Sequence, residues 1–130
     1  MKPLVLVYGL GNFGYAILKH LDRYRTAEYR IAAYDRDPAV MKRLRGYRQH
    51  SRINPTHYIS SAVILPETVD EVFPEADILV LAVTAQSIPE VLNLFNSQKR
   101  GKKSLLLINS AKALDAKTGE RLEKVITKNR

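Results

Sequence analysis

The sequence predicts an α/β fold built on a doubly wound parallel sheet of the Rossmann type. Three observations carry the prediction. Short apolar runs alternate with amphipathic stretches, the first run enters a glycine-rich turn that opens a helix, and neither an internal repeat nor a low-complexity tract interrupts the alternation. With 130 residues, 45% of them apolar and 26% charged, the chain suits one globular domain rather than a disordered segment.

The elements follow in order. Leu4–Tyr8 is a continuous apolar run, as expected of a parallel strand buried on both faces. Phe13, Ala16, Ile17 and Leu21 recur at helical spacing and predict a helix over Asn12–Arg23. Arg30–Tyr34 reads as a second strand. Asp37 then caps a helix that has Pro38 at its first position, Val40, Met41 and Leu44 on its apolar side, and Gly46 at its end. The polar, basic stretch from Gly46 to Ser61 has no period and reads as a long loop. Ala62–Leu65 is expected to be a short third strand, and Val69, Val72 and Phe73 a short helix stopped by Pro74. Ile78–Val83 is the most apolar strand. Ile88, Val91, Leu92 and Phe95 line the next helix, Gly101 lies in a turn, Ser104–Asn109 is a fifth strand, and a last helix starts near Thr118.

Right-handed crossovers in such a chain imply the strand order 3-2-1-4-5, with the topological switch between the first and fourth strands. Ligands of open parallel sheets bind beside that switch, at the carboxyl ends of the strands. Here those ends are Gly9–Gly14 and Val83–Gln86.

The segment Gly9-Leu10-Gly11-Asn12-Phe13-Gly14 fits the dinucleotide-binding pattern G-x-G-x-x-G, in its required place between a strand and a helix. Gly9 permits the turn out of the strand, Gly11 lets a pyrophosphate approach the backbone, and Gly14 lets helix and sheet pack closely. The helix start adds free N–H groups and a partial positive charge. Asp35 stands 21 positions beyond Gly14, where a carboxylate accepts hydrogen bonds from the adenosine ribose hydroxyls and disfavours a 2′-phosphate. NAD is therefore the expected cofactor. NADP is the alternative, because Arg36 can either stack on the adenine or bind that phosphate.

The net charge of +8 favours anionic partners. No acidic residue occurs from Ala39 to Pro66, where Lys42, Arg43, Arg45, Arg48 and Arg52 gather; Lys99, Arg100, Lys102 and Lys103 form a second basic group. Both are read as solvated faces or turns. Without a nucleic-acid-binding signature, no nucleic acid is expected as a partner. The absence of cysteine excludes disulfides and thiolate sites, and His20, His50 and His57 lack metal-ligand spacing. No apolar run approaches the roughly 20 residues of a membrane span, and Leu4–Val7 is too short for a signal-peptide core, so a cytoplasmic address is expected.

The order Gly9 to Gly14, then Tyr34-Asp35-Arg36-Asp37-Pro38, then Ala76–Val83 with Gln86, then Ala111-Lys112-Ala113-Leu114-Asp115 resembles the N-terminal domain of NAD-dependent glycerol-3-phosphate dehydrogenase. The resemblance extends over essentially the whole chain. It implies that Asn12 and the aromatic Phe13 belong to the cofactor loop, that Val83, Thr84 and Gln86 line the nicotinamide side, and that Lys112 contacts substrate as the catalytic candidate. The chain departs from the family pattern where Thr84 stands for its proline and Ala113 for the glycine after its lysine, and the loop Gly46–Ser61 keeps only a loose likeness to the family's polar segment ahead of Tyr-Leu-Pro, here Tyr58-Ile59-Ser60. Ketopantoate, pyrroline-carboxylate and prephenate-type dehydrogenases share the same first-domain logic.

The resemblance also implies hydride transfer between NADH and dihydroxyacetone phosphate. The family's second, helical domain has no counterpart in these 130 residues, so they are expected to bind cofactor without turning over substrate unless a second domain completes the site for a phosphorylated small molecule. The alternative is a stand-alone nucleotide-binding module with a regulatory or redox-sensing task. Either reading leaves open a homodimer or a partner chain.

Overall fold

The computed structural model describes residues 2–23, 28–96 and 106–109. Among these residues four parallel strands form one sheet: β1 (Leu4–Tyr8), β2 (Arg30–Tyr34), β3 (Ile78–Leu81) and β4 (Leu106–Asn109), in the spatial order β2-β1-β3-β4. Among the described residues three α-helices accompany them: α1 (Asn12–Arg23), α2 (Pro38–Tyr47) and α3 (Ile88–Asn96). The second basic group, the Gly101 turn, the Lys112 segment and the last expected helix lie outside the described residues, as does the side chain of Phe95.

Every residue of β1 is buried, because both faces of the sheet are covered. On one face Leu4, Leu6 and Tyr8 pack with Phe73, Ile88, Val91 and Leu92. On the other, Val5 and Val7 pack with Tyr15 and Leu18 of α1 and with Val40, Met41 and Leu44 of α2. The alternation along β1 thus feeds two cores. Each fully buried Leu or Ile contributes roughly 1.5–3 kcal/mol by leaving water. Among the described residues no helix is long and apolar enough to cross a membrane.

Three local expectations are corrected. The third strand contracts to a single bridge, in which Ile64 N–H donates to Ile31 O at 2.8 Å and Ala33 N–H donates to Ile64 O at 3.0 Å. The next ladder bond would need an N–H from residue 66, and Pro66 has none. The expected helix around Val69–Phe73 is two 3₁₀ turns, Val69–Glu71 and Phe73–Glu75. Pro74 sits inside the second turn, where the start of a helix needs no N–H donor.

The third correction concerns the end of α2. The helix closes at Arg48, in the left-handed region with φ 59°, rather than at Gly46. Arg48 N–H donates to Leu44 O at 2.8 Å, and its guanidinium bonds Ser60 O at 3.2 Å and Val63 O at 2.7 Å. Those side-chain bonds offset a conformation unfavourable to a residue with a β-carbon. Arg45 likewise donates to Pro66 O at 3.1 Å. Two of the five residues of the first basic group, Arg45 and Arg48, therefore tie loop carbonyls to the body of the domain instead of forming a solvated face.

Candidate functional site

The site begins where β1 ends. Gly9 has φ +101°, and a β-carbon there would fall 2.7 Å from Ala82 O. Its N–H still donates to Tyr34 O at 2.9 Å, so the turn starts while the chain remains bonded to β2. A β-carbon on Gly14 would collide with the carbonyl oxygen of Gly9 and stand 2.9 Å from Ala82 Cβ. Around Gly11 the same test finds nothing within 4 Å. Two glycines are thus needed for packing, while the third keeps a space open over the backbone.

Asp35 joins the loop to the end of β2. Its Oδ2 accepts the amide of Leu10 at 2.7 Å and its Oδ1 the amide of Asp37 at 2.8 Å. Asp37 Oδ1 caps α2 through Ala39 N at 2.9 Å, and its Oδ2 lies 2.7 Å from Arg52 Nη1. That guanidinium, foremost among several causes, holds the Asp37 carboxyl below its ordinary range. Arg52 N–H donates to His50 Nδ1 at 3.0 Å, which leaves the ring proton on Nε2 to donate to Leu10 O at 2.5 Å. The bonds run from the amide of Leu10 through Asp35, Asp37, Arg52 and His50 back to the carbonyl of the same residue.

A cleft of about 330 Å³ opens above this circuit. It is lined by Tyr8, Gly9 and Gly11, by Asp35, Arg36 and Arg52, and by Ala82, Val83, Thr84, Ser87, Glu90, Val91 and Leu94. Arg36 Nη1 reaches Glu90 Oε2 at 3.4 Å, from the β2 side to α3. Burial pushes the Tyr8 phenol above its ordinary value, so it is neutral at physiological pH.

Six residues singled out in the sequence therefore line one cleft: Gly9, Gly11, Asp35, Arg36, Val83 and Thr84. Gly14 lies buried beneath them. Asn12 and Phe13 are in the first turn of α1, with Phe13 61% exposed, and Gln86 is exposed in a 3₁₀ turn, Ala85–Ser87. None of these three is among the cleft-lining residues. Sequence reasoning missed Arg52, Glu90 and the buried His50. The only signal for Arg52 was its place in an acid-free basic stretch, and a loop histidine carries none.

The open space at Gly11 can admit a pyrophosphate, and the cleft is within the volume range of small-molecule sites. Residues 4–129 match the family described as NAD-dependent glycerol-3-phosphate dehydrogenase N-terminus. The chain belongs to that family.

Among its relatives is the glycerol-3-phosphate dehydrogenase [NAD(P)+] of Syntrophomonas wolfei. It is 27% identical over 124 residues, which are 95% of this chain and 35% of the relative. Solved glycerol-3-phosphate dehydrogenases share the fold. The Coxiella burnetii enzyme superposes with TM-score 0.83 at 15% identity, over 98% of this chain and 38% of its own. The Plasmodium falciparum enzyme gives 0.77 at 17% identity, over 100% and 38%. The chain thus spans little more than a third of the length of these relatives.

Proposed function

We propose that these 130 residues form the cofactor domain of an oxidoreductase that moves hydride between NADH and dihydroxyacetone phosphate. The observation that carries the reading is the open backbone at Gly11 facing a cleft that Asp35 bounds. Gly9, Gly11 and Gly14, with Asn12 and Phe13 at the start of α1, would hold the pyrophosphate. Asp35 would take the adenosine ribose, Arg36 the adenine, and Val83, Thr84 and Gln86 the nicotinamide side. The bound cofactor supplies the hydride; the chain's part is to orient it and keep water from it. Lys112 is proposed to contact the substrate oxygen or phosphate. The five-strand order 3-2-1-4-5 belongs to the same proposal, and the Ile64 bridge at the outer side of β2 supports it.

NAD is the proposed cofactor, with NADP second, and the cytoplasm the proposed location. Substrate closure and the remaining catalytic groups are assigned to a further domain or a partner chain, since the matched relatives are nearly three times as long. Titration of the purified 130-residue polypeptide with NADH tests the binding claim, and NADH absorbance with dihydroxyacetone phosphate tests turnover. Binding without turnover is the expected result, because water exclusion and substrate orientation each contribute on the order of 10²-fold or more. Failure to bind NADH would overturn the reading. Brisk substrate-dependent oxidation would show a site completed within these residues or between two copies.

A further inference from the structure

Two arginines line the cleft, and the structure holds them differently. Arg36 extends from the end of β2 across to Glu90 on α3. Arg52 arrives from the loop after α2 and is fixed at both ends. Its main-chain N–H is held by His50, itself 4% exposed and bonded to Leu10 O, while its guanidinium is held by Asp37, two residues beyond Asp35. A long side chain on irregular backbone is thereby held in the cleft lining that also includes Asp35.

We propose that Arg52 is the specificity-determining residue for the 2′ position of the adenosine ribose, giving a cleft whose Asp35 suits an unphosphorylated ribose the means to accept a 2′-phosphate as well. The proposal rests on the reading of the cleft as the dinucleotide site. In this fold the ribose 2′-hydroxyl faces the acidic residue at the end of the second strand. Asp35 already directs both carboxylate oxygens at backbone amides, Leu10 N and Asp37 N. Each oxygen retains lone-pair capacity for a ribose hydroxyl, but part of the carboxylate's charge is satisfied from within the loop. A 2′-phosphate adds about 1.5 to 2 negative charges and needs a cation at that edge. Arg36 spends its Nη1 on Glu90 of α3, whereas Arg52 is anchored on Asp37, two residues beyond Asp35. Arg52 offers a planar fork of five N–H donors of which Nη1 serves Asp37, leaving donors for phosphate oxygens. Its side chain is 59% exposed, so it is open to ligand and its replacement should leave the core intact.

Fluorescence titration with NADH and NADPH, on the unaltered protein and on Arg52→Gln, Arg36→Gln and Asp37→Asn, tests the assignment. The unaltered protein should bind both dinucleotides. Arg52→Gln should weaken NADPH about tenfold more than it weakens NADH, the scale of one charge-assisted contact to phosphate. Arg36→Gln should affect the two alike. Asp37→Asn keeps a cap acceptor for Ala39 N but releases Arg52 from its ion pair, and should tighten NADPH selectively. Circular dichroism and melting confirm that each variant is folded; were Arg52→Gln unfolded, Asp37→Asn would still decide the matter. The proposal is overturned if the unaltered protein rejects NADPH, or if neither Arg52→Gln nor Asp37→Asn shifts the ratio of the two affinities. A protein that binds neither dinucleotide would instead remove the reading of the cleft.

Discussion

His50 and Asp35 grip opposite ends of the same residue: the imidazole Nε2 donates to Leu10 O at 2.5 Å, and the carboxylate Oδ2 accepts from Leu10 N at 2.7 Å. Leu10 is the residue between Gly9 and Gly11, and its side chain is fully buried. The turn that would receive the pyrophosphate is therefore held by side chains from two other segments. Preorganisation of this kind lowers the ordering cost of binding. His50→Ala should leave Leu10 O and Arg52 N–H without their partner and destabilise the domain by about 1–3 kcal/mol. Urea unfolding measures it; an unchanged midpoint would show that the bonds carry no net stability.

Asp35→Ser removes the carboxylate from Leu10 N and from the expected ribose position together. The preference for NAD(H) over NADP(H) should relax by about 1–3 kcal/mol, with a stability loss on the same scale. Paired titrations and melts separate the two effects, and an unaltered cofactor ratio would deny Asp35 its selective role.

The three glycines should respond differently. Gly11→Val adds its side chain to open space, so the fold should survive while cofactor binding disappears. Gly14→Ala drives a methyl into Gly9 O, buried backbone that cannot give way cheaply, and should cost several kcal/mol of stability, at the upper end for a single substitution. Circular dichroism with NADH titration on both variants checks the contrast. A folded Gly11→Val that binds normally would place the pyrophosphate elsewhere.

Tyr15 should make the domain sensitive to alkali. It is 2% exposed, its hydroxyl donates to His57 O, and burial pushes its pKa up to about 12. An unfolded tyrosine ionises near 10, so below that pH the stabilisation is complete, and it is lost as pH rises from about 10 to 12. Tyr15→Phe should be less stable at neutral pH by about 1 kcal/mol, through the lost hydrogen bond, yet decline less steeply over that window. Thermal melts from pH 8 to 11 read the difference; parallel slopes would show that Tyr15 does not govern it.

Much of the framework was legible because it is local. The apolar run Leu4–Tyr8, the helix Asn12–Arg23 and the cap at Asp37 each reflect contacts within a few residues, and the structure has them at those positions, although the helix buries Tyr15 and Leu18 rather than Phe13 and Ala16. The misreadings arose where a local preference met a distant partner. Ala62–Leu65 had the composition of a strand, but Pro66 interrupts the ladder against β2. Gly46 looked like the natural helix stop, but two loop carbonyls waiting for the Arg48 guanidinium moved the left-handed residue two positions on.

By itself the sequence determined the α/β class, the glycine turn after the first strand and the acidic residue after the second, because strand and helix periodicity and the steric demands of glycine are properties of short segments. Only the tertiary structure decided that Arg52 and His50 belong to the site and that Arg36 turns to Glu90. Hydrogen bonds and ion pairs depend on separation in space, and the links that place His50 against Leu10 and Arg36 against Glu90 span 40 and 54 residues of chain. No residue pattern encodes such distances until the sheet and its loops bring the groups together.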